Sequence, residues 1–192
     1  MKQESILRYG GLAAVASVCF AIVFIAIFAA VGPGNSPAGT LGMLSNTVSL
    51  LAPILGVAAI AVLFTDLRHD AKQLALFALL FYGVTDIVGM FFDPINVPPV
   101  PWGVLTVAHG FGILLFSWLQ YRHPRYPNGL AILGLIAAGL FLLTGAALIV
   151  TASVESIGPL PLLVMLSKNG WLAWLGWHFL RNQPNLLRTA QS

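Results

Sequence analysis

Three ionisable side chains stand inside long apolar stretches of this sequence. Asp86, His109 and Lys168 are each flanked on both sides by mainly hydrophobic residues. A carboxylate, an imidazole and an ammonium group can form an ion pair, bind a polar ligand or exchange protons. A charge at the centre of a membrane helix costs ~2.5–3.5 kcal/mol, so residues retained there are functional candidates by default. These three residues are therefore the first candidates for chemistry.

The apolar stretches that carry them predict membrane-spanning helices. The chain has 192 residues, of which 58% are hydrophobic and 8% charged, whereas soluble domains carry about 25% charged residues. A span needs about 20 apolar residues. Six stretches meet this requirement, at about 8–31, 43–64, 74–92, 101–121, 128–151 and 160–180. We therefore predict an all-α fold, with residues 1–192 forming a single domain of six transmembrane helices.

The distribution of positive charge predicts the orientation. Of the nine Lys and Arg residues, all except Lys168 lie in the two termini or in the second and fourth connections. The other three connections, at about 32–42, 93–100 and 152–159, contain neither Lys nor Arg. Cytoplasmic loops carry the excess of Lys and Arg. Both termini are therefore predicted to be cytoplasmic, in a multi-pass protein of a bacterial or archaeal plasma membrane. Such scattered cations do not form a nucleic-acid surface.

The three ionisable residues are predicted to lie at one depth. Asp86, His109 and Lys168 fall near the midpoints of the third, fourth and sixth predicted helices. With a rise of ~1.5 Å per residue, all three lie within about 5 Å of one level. We call these three residues the polar centre, and we expect an ion pair between Asp86 and Lys168, with His109 as a titratable neighbour.

Helical spacing predicts which residues surround the polar centre. Asp93 follows the centre's aspartate by seven residues, and Trp102 precedes its histidine by seven, so each pair shares a helix face. Asn169 and Trp171 follow the lysine by one and three residues. We expect an outward-facing ligand pocket between the third, fourth and sixth helices. Asp93 would lie at its mouth, and Trp102 and Trp171 would form part of its wall.

Simpler structural roles also fit these residues. The ion pair could serve only to fix helix register, and the histidine could be a neutral hydrogen-bonding group between helices. A bis-histidine haem needs a second histidine at the same depth, and a metal site needs several converging ligands; neither pattern is present, so we expect no cofactor and no metal. Gly110 and Gly112 lie within a helix, where close packing rather than phosphate binding explains them. The charged runs at 66–72 and 121–127 are interpreted as interfacial anchors that contact lipid headgroups.

Three classes of function follow from this pattern. The first is a protein that binds a lipid or other small amphiphile. The second is an intramembrane enzyme acting on a lipid or isoprenoid, with Asp86 or His109 as acid or base. The third is a small proton-coupled transporter. The first is favoured, because the sequence shows no convincing nucleophile or metal set and no internal repeat or broken span of the kind transporters use. Membrane lipids are the expected partners, and the sequence does not indicate an oligomeric state.

Two short runs resemble a known family. The residues Gly-Met-Phe-Phe-Asp-Pro at 89–94 and Thr-Val-Ala-His-Gly at 106–110 are followed, in the last helix, by Ser-Lys-Asn-Gly-Trp-Leu-Ala-Trp at 167–174. This order resembles a six-span bacterial and archaeal membrane family catalogued as domain of unknown function 998. The resemblance implies the six-span fold and points to Asp93, His109 and Lys168. It implies no particular activity.

Overall fold

The computed structural model describes residues 2–31, 38–90 and 98–181, and every regular element in them is helical. Its helices are α1 (Lys2–Val31), α2 (Gly39–His69), α3 (Ala71–Gly89), α4 (Pro99–Arg122), α5 (Asn128–Thr151) and α6 (Leu160–Arg181), with a short 3-10 turn at Glu155–Ile157. Helices α1 to α5 are each long and apolar enough to cross a membrane. The chain is therefore an all-helical, multi-pass membrane protein, as its composition predicted.

Helix α6 differs from the other five in composition. Its 22 residues would extend about 33 Å at the usual rise per residue, which is enough to cross the hydrocarbon layer. It is not among the helices that qualify as spans by hydropathy. The consecutive polar residues Ser167, Lys168 and Asn169 interrupt its apolar sequence. The least apolar helix thus carries the cation of the polar centre.

Helices α2 and α3 form a hairpin with a very short turn. Ala71 (φ −152°, ψ 68°) is the non-helical residue inside the segment Gly39–Gly89. A Cβ atom built on Gly56 of α2 would lie 3.7 Å from a carboxylate oxygen of Asp86 on α3, so the two helices run side by side in opposite directions. The sequence had predicted a connection over about 65–73. This was too long, because α2 extends to His69 and α3 begins at Ala71, so the charged residues Asp66, Arg68 and Lys72 lie within the helices.

The helices pack in a closed ring around the bundle interior. Helix α1 packs on the α2–α3 hairpin and on α6, α4 packs on the hairpin and on α5, and α5 packs on α6. At the contact between the hairpin and α4, a Cβ atom on Gly112 would lie only 2.6 Å from the backbone nitrogen of Tyr82. Glycine therefore permits the close packing predicted for this position, and it brings His109, one turn away, against Tyr82.

Candidate functional site

The structure brings the three residues of the polar centre into direct contact. Lys168 Nζ lies 2.9 Å from Asp86 Oδ1 and 3.2 Å from Oδ2. His109 Nδ1 lies 3.3 Å from Asp86 Oδ1. The exposed fractions of the side chains are 10% for Asp86, 4% for His109 and 20% for Lys168. The charges are therefore paired and largely buried, at the common level expected from helix geometry.

Two aromatic rings pack against the imidazole. The centroid of the His109 ring lies 4.4 Å from that of Tyr82 and 4.7 Å from that of Phe141, which stacks on it. Lys168 Nζ lies 5.0 Å from the Tyr82 ring centre, within the range of a cation–π contact. The Tyr82 hydroxyl faces Asp86, although its geometry falls short of a hydrogen bond. These aromatic residues restrict the histidine to one orientation.

Thr85 provides a second contact to the same imidazole nitrogen. Its Oγ1 lies 2.9 Å from His109 Nδ1. The hydroxyl also lies 2.6 Å from the carbonyl oxygen of Phe81 and 3.0 Å from that of Tyr82, to which it donates. A threonine in an apolar helix commonly bonds back to its own helix in this way. Its oxygen is then free to accept a hydrogen bond from the histidine.

A cavity of about 510 Å³ adjoins the polar centre. All six helices contribute to its lining, and the contributing segments lie at one end of the bundle, away from the turn at Ala71. The lining residues include Ser17, Phe24, Ser45, Asn46, Val48, Ser49, Thr85, Asp86, Trp102, Leu105, Thr106, His109, Phe141, Thr144, Met165, Lys168 and Asn169. The wall is thus mixed, with apolar and aromatic surface beside hydroxyl, amide and charged groups.

Most of the residues singled out from the sequence meet at this cavity. All three residues of the polar centre line it, together with Asn169 and Trp102. Trp171 does not, which corrects its predicted place in the wall: its side chain is fully buried in the bundle, and its Nε1–H donates to Gln120 Oε1 at 3.2 Å. Helix α6 carries Trp171 one turn further from the cavity. Asp93 lies outside the described residues.

Sequence reasoning missed the contribution of α1, α2 and α5. These helices supply Ser17, Ser45, Asn46, Ser49 and Thr144 to the lining. Uncharged polar residues lower the hydropathy of a span only slightly, so they do not stand out as a charge does. The available signal was the clustering of Ser45, Asn46 and Ser49 in the first eleven residues of α2.

Two buried polar atoms of lining residues have no hydrogen-bond partner among the described residues. They are Nε2 of His109 and Oγ1 of Thr144, and each residue has only 3% of its surface exposed. A buried polar atom without a partner costs about 1–3 kcal/mol. Within the described part of the chain, both atoms therefore lack the hydrogen bond that a buried polar atom normally makes.

A second polar cluster lies at the other end of the bundle. Asp66 of α2, 6% exposed, accepts hydrogen bonds from Arg125 (2.5 Å) and from the Tyr126 hydroxyl (2.7 Å) in the connection between α4 and α5. Burial raises the pKa of Tyr126 above its usual value, and the Asp66 carboxylate raises it further. The sequence interpreted both charged runs as interfacial anchors, but Asp66 is a buried link between them. A groove of about 520 Å³ adjoins this cluster on the side of Arg125 and Tyr126, and Asp66 does not line it.

The comparisons with known proteins found no relative of this chain. No family model, no curated protein and no solved structure matches the chain. The function proposed below therefore depends on the geometry of the cavity and the polar centre.

Proposed function

We propose that this protein binds a lipid or other small amphiphile in the cavity beside the polar centre. The observation that carries the proposal is a cavity of about 510 Å³ whose wall combines a buried ion pair with apolar side chains. Ligand pockets typically measure about 300–1,000 Å³ and present a few polar groups within a mainly apolar lining. The cavity has both properties.

The composition of the wall supports an amphiphile over a purely polar or purely apolar ligand. Phe24, Val48, Leu105 and Met165 offer apolar surface to a hydrocarbon chain. The polar centre and the hydroxyl and amide side chains offer hydrogen bonds to a head group. A molecule with one polar end satisfies both parts of the wall.

The proposal places the protein in the membrane with six spans and both termini in the cytoplasm. Helix α6 is the sixth span, because its lysine is paired with Asp86 and therefore does not enter the membrane as an isolated charge. The connections rich in Lys and Arg then face the cytoplasm. The cavity, which lies at the opposite end of the bundle, opens toward the outside of a bacterial or archaeal plasma membrane.

Membership of the six-span family that the sequence resembles belongs to the same proposal. Of the residues to which that resemblance points, His109 and Lys168 line the cavity. If the family shares this site, its members keep a cation and a histidine facing one carboxylate in the third helix.

Mass spectrometry of molecules that copurify with the protein in mild detergent tests the proposal. One lipid class should be enriched relative to the membrane extract, and it should be lost in Asp86→Asn and in Lys168→Met. Arg125→Gln is the matched control, since it breaks the ion pair at the other end of the bundle and should retain the ligand. An unenriched lipid profile in the wild-type protein would contradict the proposal, and retention in both site variants would contradict the placement.

A second candidate is an intramembrane enzyme that acts on a lipid or isoprenoid. The observation favouring it is the contact between Asp86 Oδ1 and His109 Nδ1, since a carboxylate that orients a histidine lets the other ring nitrogen act as a general base. The copurified molecule should then be converted to a product on incubation with the wild-type protein. Binding without turnover would reject this candidate and leave the first intact.

A further inference from the structure

The hydrogen bonds around His109 determine which of its ring nitrogens carries the hydrogen. The Thr85 hydroxyl donates its hydrogen to the carbonyls of Phe81 and Tyr82. Its oxygen can therefore only accept from His109 Nδ1, 2.9 Å away. The ionised carboxylate of Asp86, with Oδ1 3.3 Å from the same nitrogen, also only accepts. Two acceptors face Nδ1, so Nδ1 carries the hydrogen.

The other nitrogen, Nε2, is then a bare acceptor. Hydrogens on both nitrogens would make the ring a cation next to Lys168, and the single carboxylate of Asp86 already balances the charge of that lysine. A second buried cation would have no counter-charge in the polar centre. The neutral ring with hydrogen on Nδ1 therefore fits the site, and it leaves a lone pair on Nε2.

Nε2 is the ring nitrogen of His109 that remains for a ligand. The rings of Tyr82 and Phe141 pack against the imidazole, and Nδ1 contacts Thr85 and Asp86. His109 nevertheless lines the cavity, and its Nε2 has no partner among the described residues. The cavity wall therefore includes a histidine whose acceptor nitrogen no described residue uses.

We infer that the ligand carries an uncharged hydroxyl head group that donates its hydrogen to His109 Nε2. This inference rests on the proposed function and names the class of amphiphile. The Thr144 hydroxyl, which has no partner in the described part of the chain and lies on the same α5 face as Phe141, can donate to the oxygen of such a head group. A fully ionised carboxylate or phosphate head group does not fit, because its oxygens only accept hydrogen bonds and would face the Nε2 lone pair, and Lys168 is already paired.

The test compares three probes with the same dodecyl chain, 1-dodecanol, dodecyl methyl ether and dodecyl phosphate, on the full-length protein. Native mass spectrometry gives the relative affinities. We expect the alcohol to bind about tenfold more tightly than the ether, which lacks the donor, and more tightly than the phosphate. Equal binding of alcohol and ether, or a preference for the phosphate, would overturn the inference while leaving amphiphile binding established. If none of the probes binds, the proposed function fails and the inference fails with it.

The variant His109→Asn isolates the role of Nε2. The asparagine amide can still donate to Thr85 from the position of Nδ1, but it places no acceptor at the position of Nε2. The ratio of alcohol to ether affinity should fall from about ten to about one in this variant. A preference that survives would show that another group accepts the hydroxyl hydrogen.

Nitrogen NMR of the ¹⁵N-histidine-labelled protein tests the tautomer without any ligand. Nε2 couples to both carbon-bound ring hydrogens, whereas Nδ1 couples strongly to one. The His109 signals, assigned by their loss in His109→Asn, should show a protonated Nδ1 and a bare Nε2. A protonated Nε2 would overturn the inference, whatever the probes do.

Discussion

The α2–α3 hairpin carries two buried aspartates whose surroundings differ. Asp66 binds Arg125 and the Tyr126 hydroxyl, and Asp86 binds Lys168 and contacts His109. Each carboxylate thus has one cation and one further polar group. The partners of Asp66 come from the short connection between α4 and α5, whereas the partners of Asp86 come from the interior of two helices.

The two clusters differ in whether a buried polar atom is left without a hydrogen bond within the described residues. At Asp66, both carboxylate oxygens accept a bond, and the residue does not line either cavity described here. At Asp86, the contacting histidine lines a cavity and has a buried nitrogen to which no described residue hydrogen-bonds. A buried carboxylate therefore does not by itself indicate a site. A buried polar atom without a hydrogen-bond partner, beside a cavity, is a better indication of a site.

The largest expected effect is the difference in stability between variants of the two ion pairs. Lys168→Met should lower the free energy of unfolding by about 3 kcal/mol, because it leaves the carboxylate of Asp86 buried without its cation. Arg125→Gln should cost less, about 1 kcal/mol, because the glutamine amide can still donate to Asp66 and the Tyr126 hydroxyl continues to do so. Chemical unfolding in detergent, followed by circular dichroism, measures both values.

A double variant shows whether the loss comes from the unpaired charge. Asp86→Leu combined with Lys168→Met removes both charges and should recover much of the stability lost in the single variant. Equal losses in the two single variants would remove the distinction between the ends of the bundle.

A smaller effect is expected where α4 contacts the hairpin. Gly112→Ala should cost about 1–3 kcal/mol, because its Cβ would collide with the backbone of Tyr82 and push α4 away from the cavity side. Gly139→Ala is the matched control, because a Cβ there meets no atom within 4 Å. It should be neutral or slightly stabilising. Thermal unfolding compares them, and a tolerated Gly112→Ala would show that this contact does not set the geometry of the polar centre.

The smallest effect concerns Tyr126 and its pH dependence. Tyr126→Phe removes one hydrogen bond to Asp66 and should cost about 1 kcal/mol near neutral pH. The folded-state pKa of the phenol is raised, so above about pH 10 the unfolded chain loses this proton first and stability falls as pH increases. Tyr126→Phe should lack the part of the decrease that Tyr126 causes. The free energy of unfolding is measured at pH 8, 9, 10 and 11. If it falls with pH at the same rate in the wild type and in the variant, the prediction is contradicted.

The sequence predicted the features that a membrane makes costly. Long apolar stretches and the energetic penalty on buried charge were sufficient to identify the helices and to bring Asp86, His109 and Lys168 to one level. The structure places these side chains in contact, and it also confirms close packing at Gly112. In each case a single residue type has a strong physical consequence that depends little on its surroundings.

Features that depend on several weak preferences were not predictable in the same way. The turn at Ala71 contains neither Gly nor Pro, so the sequence does not reveal how short it is. Thr85 and Thr144 are ordinary residues for an apolar helix, and only the packing of three helices shows that one orients His109 and the other faces the cavity. Trp171 has the spacing of a wall residue, but its depth places it in the core.

Because Asp86 and Lys168 are far apart along the chain, the carboxylate is synthesised well before its cation. The two residues are 82 positions apart, and at ~5–20 residues per second the ribosome needs about 4–16 s to pass from one to the other. For that interval the nascent hairpin holds a carboxylate whose permanent cation does not yet exist. The least apolar helix is made last, when the carboxylate that its lysine binds has already been synthesised.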